Sequence, residues 1–89
     1  MNKKWSCIVR IDPSVSAKFI IEQKDEYYYL SFYEQFGDST HLHHSKDLTE
    51  IFSFLLTTHT VRTQNAVYKI TSSMRLKIPP ELSEWIVES

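Results

Sequence analysis

Three of the four histidines, His41, His43 and His44, sit together, with His59 further along. Imidazole nitrogens bind metal ions, and strand alternation turns His41 and His43 the same way, so one ion could bridge them. Asp38 or Asp47 could supply a third ligand. No CxxC or HExxH spacing accompanies the cluster, and a polar, His-rich edge is the plainer reading. No metal and no cofactor is therefore expected. Cys7, paired with a histidine, is a second candidate for chemistry. It alternates with Trp5 and Val9 on what reads as a buried face, where a cysteine acts as a small hydrophobe and its thiolate is disfavoured. Among the acids, Asp25-Glu26 reads as a solvated turn, and Glu81, Glu84 and Glu88 face water. Glu34 alone is flanked by rings, at Phe32, Tyr33 and Phe36. Such a residue is more often an edge-strand charge that blocks sheet-to-sheet pairing.

The single glycine, Gly37, excludes more. Loops that cradle phosphate need several glycines so that backbone can approach the ligand, and G-x-G-x-x-G and P-loop motifs cannot exist here. The G-x-S-x-G nucleophile elbow is excluded too. Without an acid, base and nucleophile set, an enzyme is not expected.

The elements that position these residues are organised around Ala17 to Phe36. Ala17–Glu22 and Tyr27–Phe36 read as two strands joined by a turn at Lys24-Asp25-Glu26. The second run holds four of the five tyrosines and two of the five phenylalanines. Such rings suit a pleated surface and lose rotamer freedom in a helix. Alternation puts Tyr28, Leu30, Phe32, Glu34 and Phe36 on one face, the expected core. It puts Tyr27, Tyr29, Ser31 and Tyr33 on the other, with phenol oxygens able to reach water.

Lys4 to Ile11 alternates as a strand, with Trp5, Cys7, Val9 and Ile11 inward, and Asp12-Pro13-Ser14 is a turn. Gly37–Thr40 is a second turn, and His41–His44 a short edge strand. Asp47 reads as the N-cap of a helix, with Glu50 reaching back to it in a capping box. Leu48, Ile51, Phe52 and Leu55 then form its apolar stripe, which ends near Thr57-Thr58. Residues 59–74 fit either strand or helix. Arg75–Ile78 alternates as a strand that Pro79-Pro80 stops, and Glu81–Val87 reads as a last helix with Pro80 at its start. The expectation is one α+β domain over 1–89, an antiparallel sheet of roughly three to five strands with two helices packed on one face.

Charge is divided along the chain. From 12 to 50 eight acids face three lysines, whereas 51–80 holds four basic residues and no acid. Within that basic stretch, Thr63–Ile70 looks like the recognition helix of a Cro-like helix-turn-helix protein, and Arg75–Glu81 resembles the segment after that helix in some of them. The likeness covers under a third of the chain. It implies Gln64, Asn65, Tyr68 and Lys69 facing the major groove.

The favoured function is that of a small non-enzymatic module, of inhibitor, immunity, adaptor or subunit type. It would bind another protein, or a second copy of itself, through Tyr27, Tyr29, Tyr33 and Glu34. The alternative is a nucleic-acid binder using Arg62, Gln64, Lys69, Arg75 and Lys77. One cysteine, hence no internal disulfide, suits a reducing cytoplasm. The first ten residues begin like a signal peptide, but Arg10 and Asp12 interrupt the apolar run. No run approaches the roughly 20 apolar residues of a membrane span.

Overall fold

A computed structural model describes residues 2–35 and 37–88, without the Asp12 side chain. Phe36, expected on the core face, lies outside the described residues, as does any bond of the Asp12 carboxylate. Four long strands run in sequence: β1 (Lys3–Asp12), β2 (Val15–Lys24), β3 (Tyr27–Tyr33) and β4 (Ser39–Ser45). They form an antiparallel sheet of order β4-β3-β2-β1-β7, where β7 is Ile86–Val87. Between β4 and β7 come α1 (Leu48–Thr57), β5 (Thr60–Arg62), β6 (Val67–Lys69) and α2 (Ser72–Leu76). β5 and β6 pair with each other in a second, two-stranded sheet. The chain is thus α+β, with an antiparallel five-stranded sheet and two helices. No helix among the described residues is long and apolar enough to cross a membrane.

The strands follow from alternation. Cys7 lies opposite Phe19, and Phe19 opposite Phe32; Ile21 lies opposite Leu30. All five are buried, and the Phe19 and Phe32 rings meet at 5.4 Å. Ile51 and Leu55 of α1, Val61 of β5, Ile70, Met74 of α2 and Trp85 belong to the same buried cluster. Removing one such ring or branched side chain from water is worth roughly 2–3 kcal/mol, so this cluster is the main source of stability. The tight β2–β3 turn places Asp25 at φ 59°, a left-handed conformation that a short Asp side chain tolerates.

The start of α1 falls where expected, with a different capping arrangement. Asp47 Oδ1 accepts from the Thr49 amide at 2.9 Å. Glu50 does not reach back to Asp47. Its carboxylate accepts from the Ser45 hydroxyl, and that hydroxyl accepts the Asp47 N–H at 3.0 Å. The buried Ser45 therefore relays the reciprocal half of the box.

Of the two readings open for 59–74 the strand one prevails, and two later expectations change. Residues 59–74 are mostly hairpin: Thr63 N–H donates to Ala66 O at 2.9 Å, and Thr63 Oγ1 accepts from the Asn65 and Ala66 amides. Arg75–Ile78 is not a strand. Thr71 caps α2 by accepting from the Met74 amide, and helical spacing turns Met74 inward while Leu76 is 87% exposed. The expected last helix is a 3-10 turn, Leu82–Glu84, followed by β7. Ile86 and Val87 are β-branched, and the open edge of β1 offers them a ladder: Ser6 pairs with Ile86, and Glu88 N–H donates to Lys4 O.

Candidate functional site

The register places Lys4, Glu22, Tyr29 and His44 in one row across the sheet, and Ser6, Ile20, Ser31 and His41 in the next. Ile8, Lys18, Tyr33 and Ser39 form a third. These residues point away from Phe19, Leu30 and Phe32, by the two-residue period of a strand. Tyr27, Tyr29 and Tyr33 are half-buried there, and Ile8 and Ile86 on the same face are 62% and 54% exposed. Lys18 Nζ stands 5.9 Å over the Tyr33 ring and 3.9 Å from Glu88, whose other oxygen accepts from Ser6. Tyr27 carries Lys46 above it at 5.5 Å, and Lys46 reaches Glu26.

Sequence spacing missed the histidines of this face. The β3–β4 register slips between Leu30 and Ser31: Leu30 faces His43, whereas Ser31 faces His41. Leu42 is the extra residue of a β-bulge. The slip reverses the parity of β4. His43 turns to the core side and stacks on Phe54 of α1, with ring centroids 5.0 Å apart and planes 7° apart. His41 and His44, not His41 and His43, share the outer face. His41 Nε2 and His44 Nδ1 stand 3.1 Å apart. Tyr29 stacks on His44 at 5.6 Å and reaches His41 at 6.2 Å, and Tyr27 lies 6.0 Å from His44. The result is one continuous patch of two phenols and two imidazoles on the outermost pair of strands. Local spacing carries no mark of the slip, which shows only in the pairing of β4 with β3.

Glu34 does a different job from the phenols. Its Oε2 accepts from Tyr68 OH at 2.5 Å and its Oε1 from Asn65 Nδ2 at 3.1 Å. Asp38 accepts from the same Asn65 amide at 2.8 Å. The bond to Glu34, then desolvation and the nearby carboxylate charge, hold the Tyr68 phenol above its ordinary range. Glu34 thus ties the β5–β6 hairpin to the end of β3. Its oxygens are engaged within the chain, on the side where Tyr68 meets Phe32 at 5.3 Å.

The basic candidates separate. Arg62 and Lys69 are exposed on β5 and β6, Gln64 is exposed in the turn between them, and Lys77 is exposed after α2. Arg75 turns inward. Its Nη2 donates to Thr58 O at 2.7 Å and Ile70 O at 3.3 Å and lies 3.0 Å from His59 Nδ1. It closes the end of α1 against the end of β6. The helix that the Cro-like resemblance implied over 63–70 is a hairpin, so Gln64, Asn65, Tyr68 and Lys69 share no helical face. Tyr68 is turned to Glu34.

Cys7 is buried, and desolvation pushes its thiol up to about 11. A thiol held protonated in the core is a poor nucleophile. Comparison with family models, with curated proteins and with solved structures finds no match to this chain.

Proposed function

We propose that the chain is a small non-enzymatic interaction module that binds another protein through the phenol face of its sheet. The observation that carries this reading is the placement of Tyr27, Tyr29 and Tyr33. All three stand on the side of β3 away from the buried rings, half-exposed and continuous with His41 and His44. On this reading α1 and α2 cover the Phe19–Phe32 side and leave the other side to a partner. Tyrosine offers large contact area at small entropic cost, and its hydroxyl tolerates both water and an interface. Exposed Ile8 and Ile86 extend the apolar part of the same face. Glu34, engaged by Asn65 and Tyr68, is left out of the proposed contact set. A buried thiol as the chain's one cysteine suits a reducing, cytoplasmic setting.

The test is a pair of variants read by fold and by partner. Affinity capture from the native cell, with mass spectrometry, identifies the bound protein, and light scattering reports a second copy. Tyr29→Ala with Tyr33→Ala should leave the circular dichroism spectrum native and abolish that association. Undiminished binding, or loss of the fold, would sink the reading. Nucleic acid takes second place, resting on Arg62, Gln64, Lys69 and Lys77 alone. Steeply salt-dependent binding of a DNA or RNA probe, lost on Lys69→Glu, would promote it.

A further inference from the structure

We propose that His41 and His44 form a bidentate site for a divalent transition-metal ion of the Cu2+, Ni2+ and Zn2+ class, built by the β-bulge at Leu42. This inference stands on its own geometry and holds whether or not the phenol face binds a protein.

The spacing fits one ion. Two metal–nitrogen bonds of about 2.0–2.1 Å set their nitrogens about 2.9 Å apart at a right angle and about 3.3 Å apart at the tetrahedral angle. The observed separation of His41 Nε2 and His44 Nδ1, 3.1 Å, lies between these. Without metal, this distance is a hydrogen bond in which one ring donates and the other accepts. Each neutral imidazole carries a single N–H and can hold it on either nitrogen. Moving the shared proton to the other nitrogen of whichever ring donates it leaves two lone pairs facing each other. That arrangement is repulsive by itself and is what a metal ion requires. No proton leaves the pair: one N–H bond breaks and one forms on the same ring, and the two metal–nitrogen bonds replace two of the ion's bonds to water.

The surroundings favour the geometry. Tyr29 stacks on His44 with ring planes 28° apart and also approaches His41, which limits how far either ring can swing. A bulge commonly re-aims a side chain at a functional place, and here it moves His41 onto the face of His44 and away from His43. An open basin beside His41 is lined by Glu22 and Asp25 against Lys24, with Tyr29 and Ser31. Among the described residues, no third histidine, cysteine, aspartate or glutamate completes a larger set. The remaining coordination positions therefore fall to solvent. A two-nitrogen site of this kind follows the usual order of divalent ions, with Cu2+ held more tightly than Zn2+.

Isothermal titration calorimetry with Cu2+, Ni2+ or Zn2+ alone, in a non-chelating buffer, tests the proposal. Wild-type protein should take up a single ion per chain, most tightly with Cu2+. His41→Ala and His44→Ala each remove one of two ligands and should each weaken binding by at least about tenfold, since losing even a group that only supports a ligand typically costs about 10–100-fold. His43→Ala should keep the wild-type affinity; should it fail to fold, His43→Phe preserves the stack on Phe54 without a ring nitrogen. Absence of uptake by the wild type, undiminished uptake by either of the first two variants, or an equal loss on changing His43 would each overturn the proposal.

Discussion

At the scale of single residues, chemistry here is governed by what each group is held against. Cys7 illustrates the case. Its thiol is pushed up to about 11 from an ordinary 9.0 by desolvation. Below 9.0 the thiol is neutral in both folded and unfolded chains, so its contribution to stability is fully present. Between 9.0 and about 11 the unfolded chain ionises while the folded chain does not, and stability falls as pH rises, until both forms ionise. The expected outcome is a midpoint of urea unfolding that drops across this window in the wild type and drops less in Cys7→Ala. A thiol reagent at neutral pH should label Cys7 only as fast as the protein opens. Arg75 and Glu34 teach the same lesson in charge. The sequence offers Glu34 as a partner contact and Arg75 as a nucleic-acid contact, yet both are engaged by neighbours distant along the chain, Tyr68 and Thr58.

At the scale of elements, the acidic segment 12–50 is less available to a partner than its count suggests. Asp47 and Glu50 serve the start of α1, and Glu34 and Asp38 hold the β5–β6 hairpin through Asn65. The Ser45 relay makes a specific prediction. Ser45→Ala removes the partner of the Asp47 amide and leaves the Glu50 carboxylate without its donor, at a cost of about 1–3 kcal/mol. Asp47→Ala removes the cap to the Thr49 amide and costs about 1 kcal/mol. Because Ser45 links both groups, the double variant should cost less than the sum, a coupling that chemical denaturation of all three proteins would detect. Strict additivity would show that the two caps act separately. The slip in β4 is the other event at this scale: one extra residue separates His41 from His43, which simple alternation puts on one face, and sets His41 beside His44.

At the scale of the molecule, the two sides of β3 should differ sharply under mutation. Phe32→Ala opens a cavity in the buried cluster and should cost about 3–5 kcal/mol, enough to unfold much of a domain this small. Tyr29→Ala and Tyr33→Ala should each cost under about 1 kcal/mol, the scale of a cross-strand pair. Thermal melts compare them directly, and equal losses would place the phenols in the core. This contrast was legible in the sequence, because alternation over Tyr27–Tyr33 assigns each ring a face whatever the partner strands do. The Asp47 start of α1 was equally legible, since an N-cap is set by a few adjacent residues. Local pattern also supplied the α+β class, the first hairpin and the lack of glycine-rich chemistry. It could not supply the register of β4, the fate of Ile86-Val87 or the direction of Arg75. Each of these depends on a partner far along the chain. Ile86 becomes strand because the edge of β1 is open to it, and Arg75 turns inward because Thr58 and Ile70 present carbonyl oxygens. Composition and spacing settle which residues prefer to be buried or capped; only the packed chain decides which of two compatible conformations finds hydrogen-bond partners, and so which histidines meet.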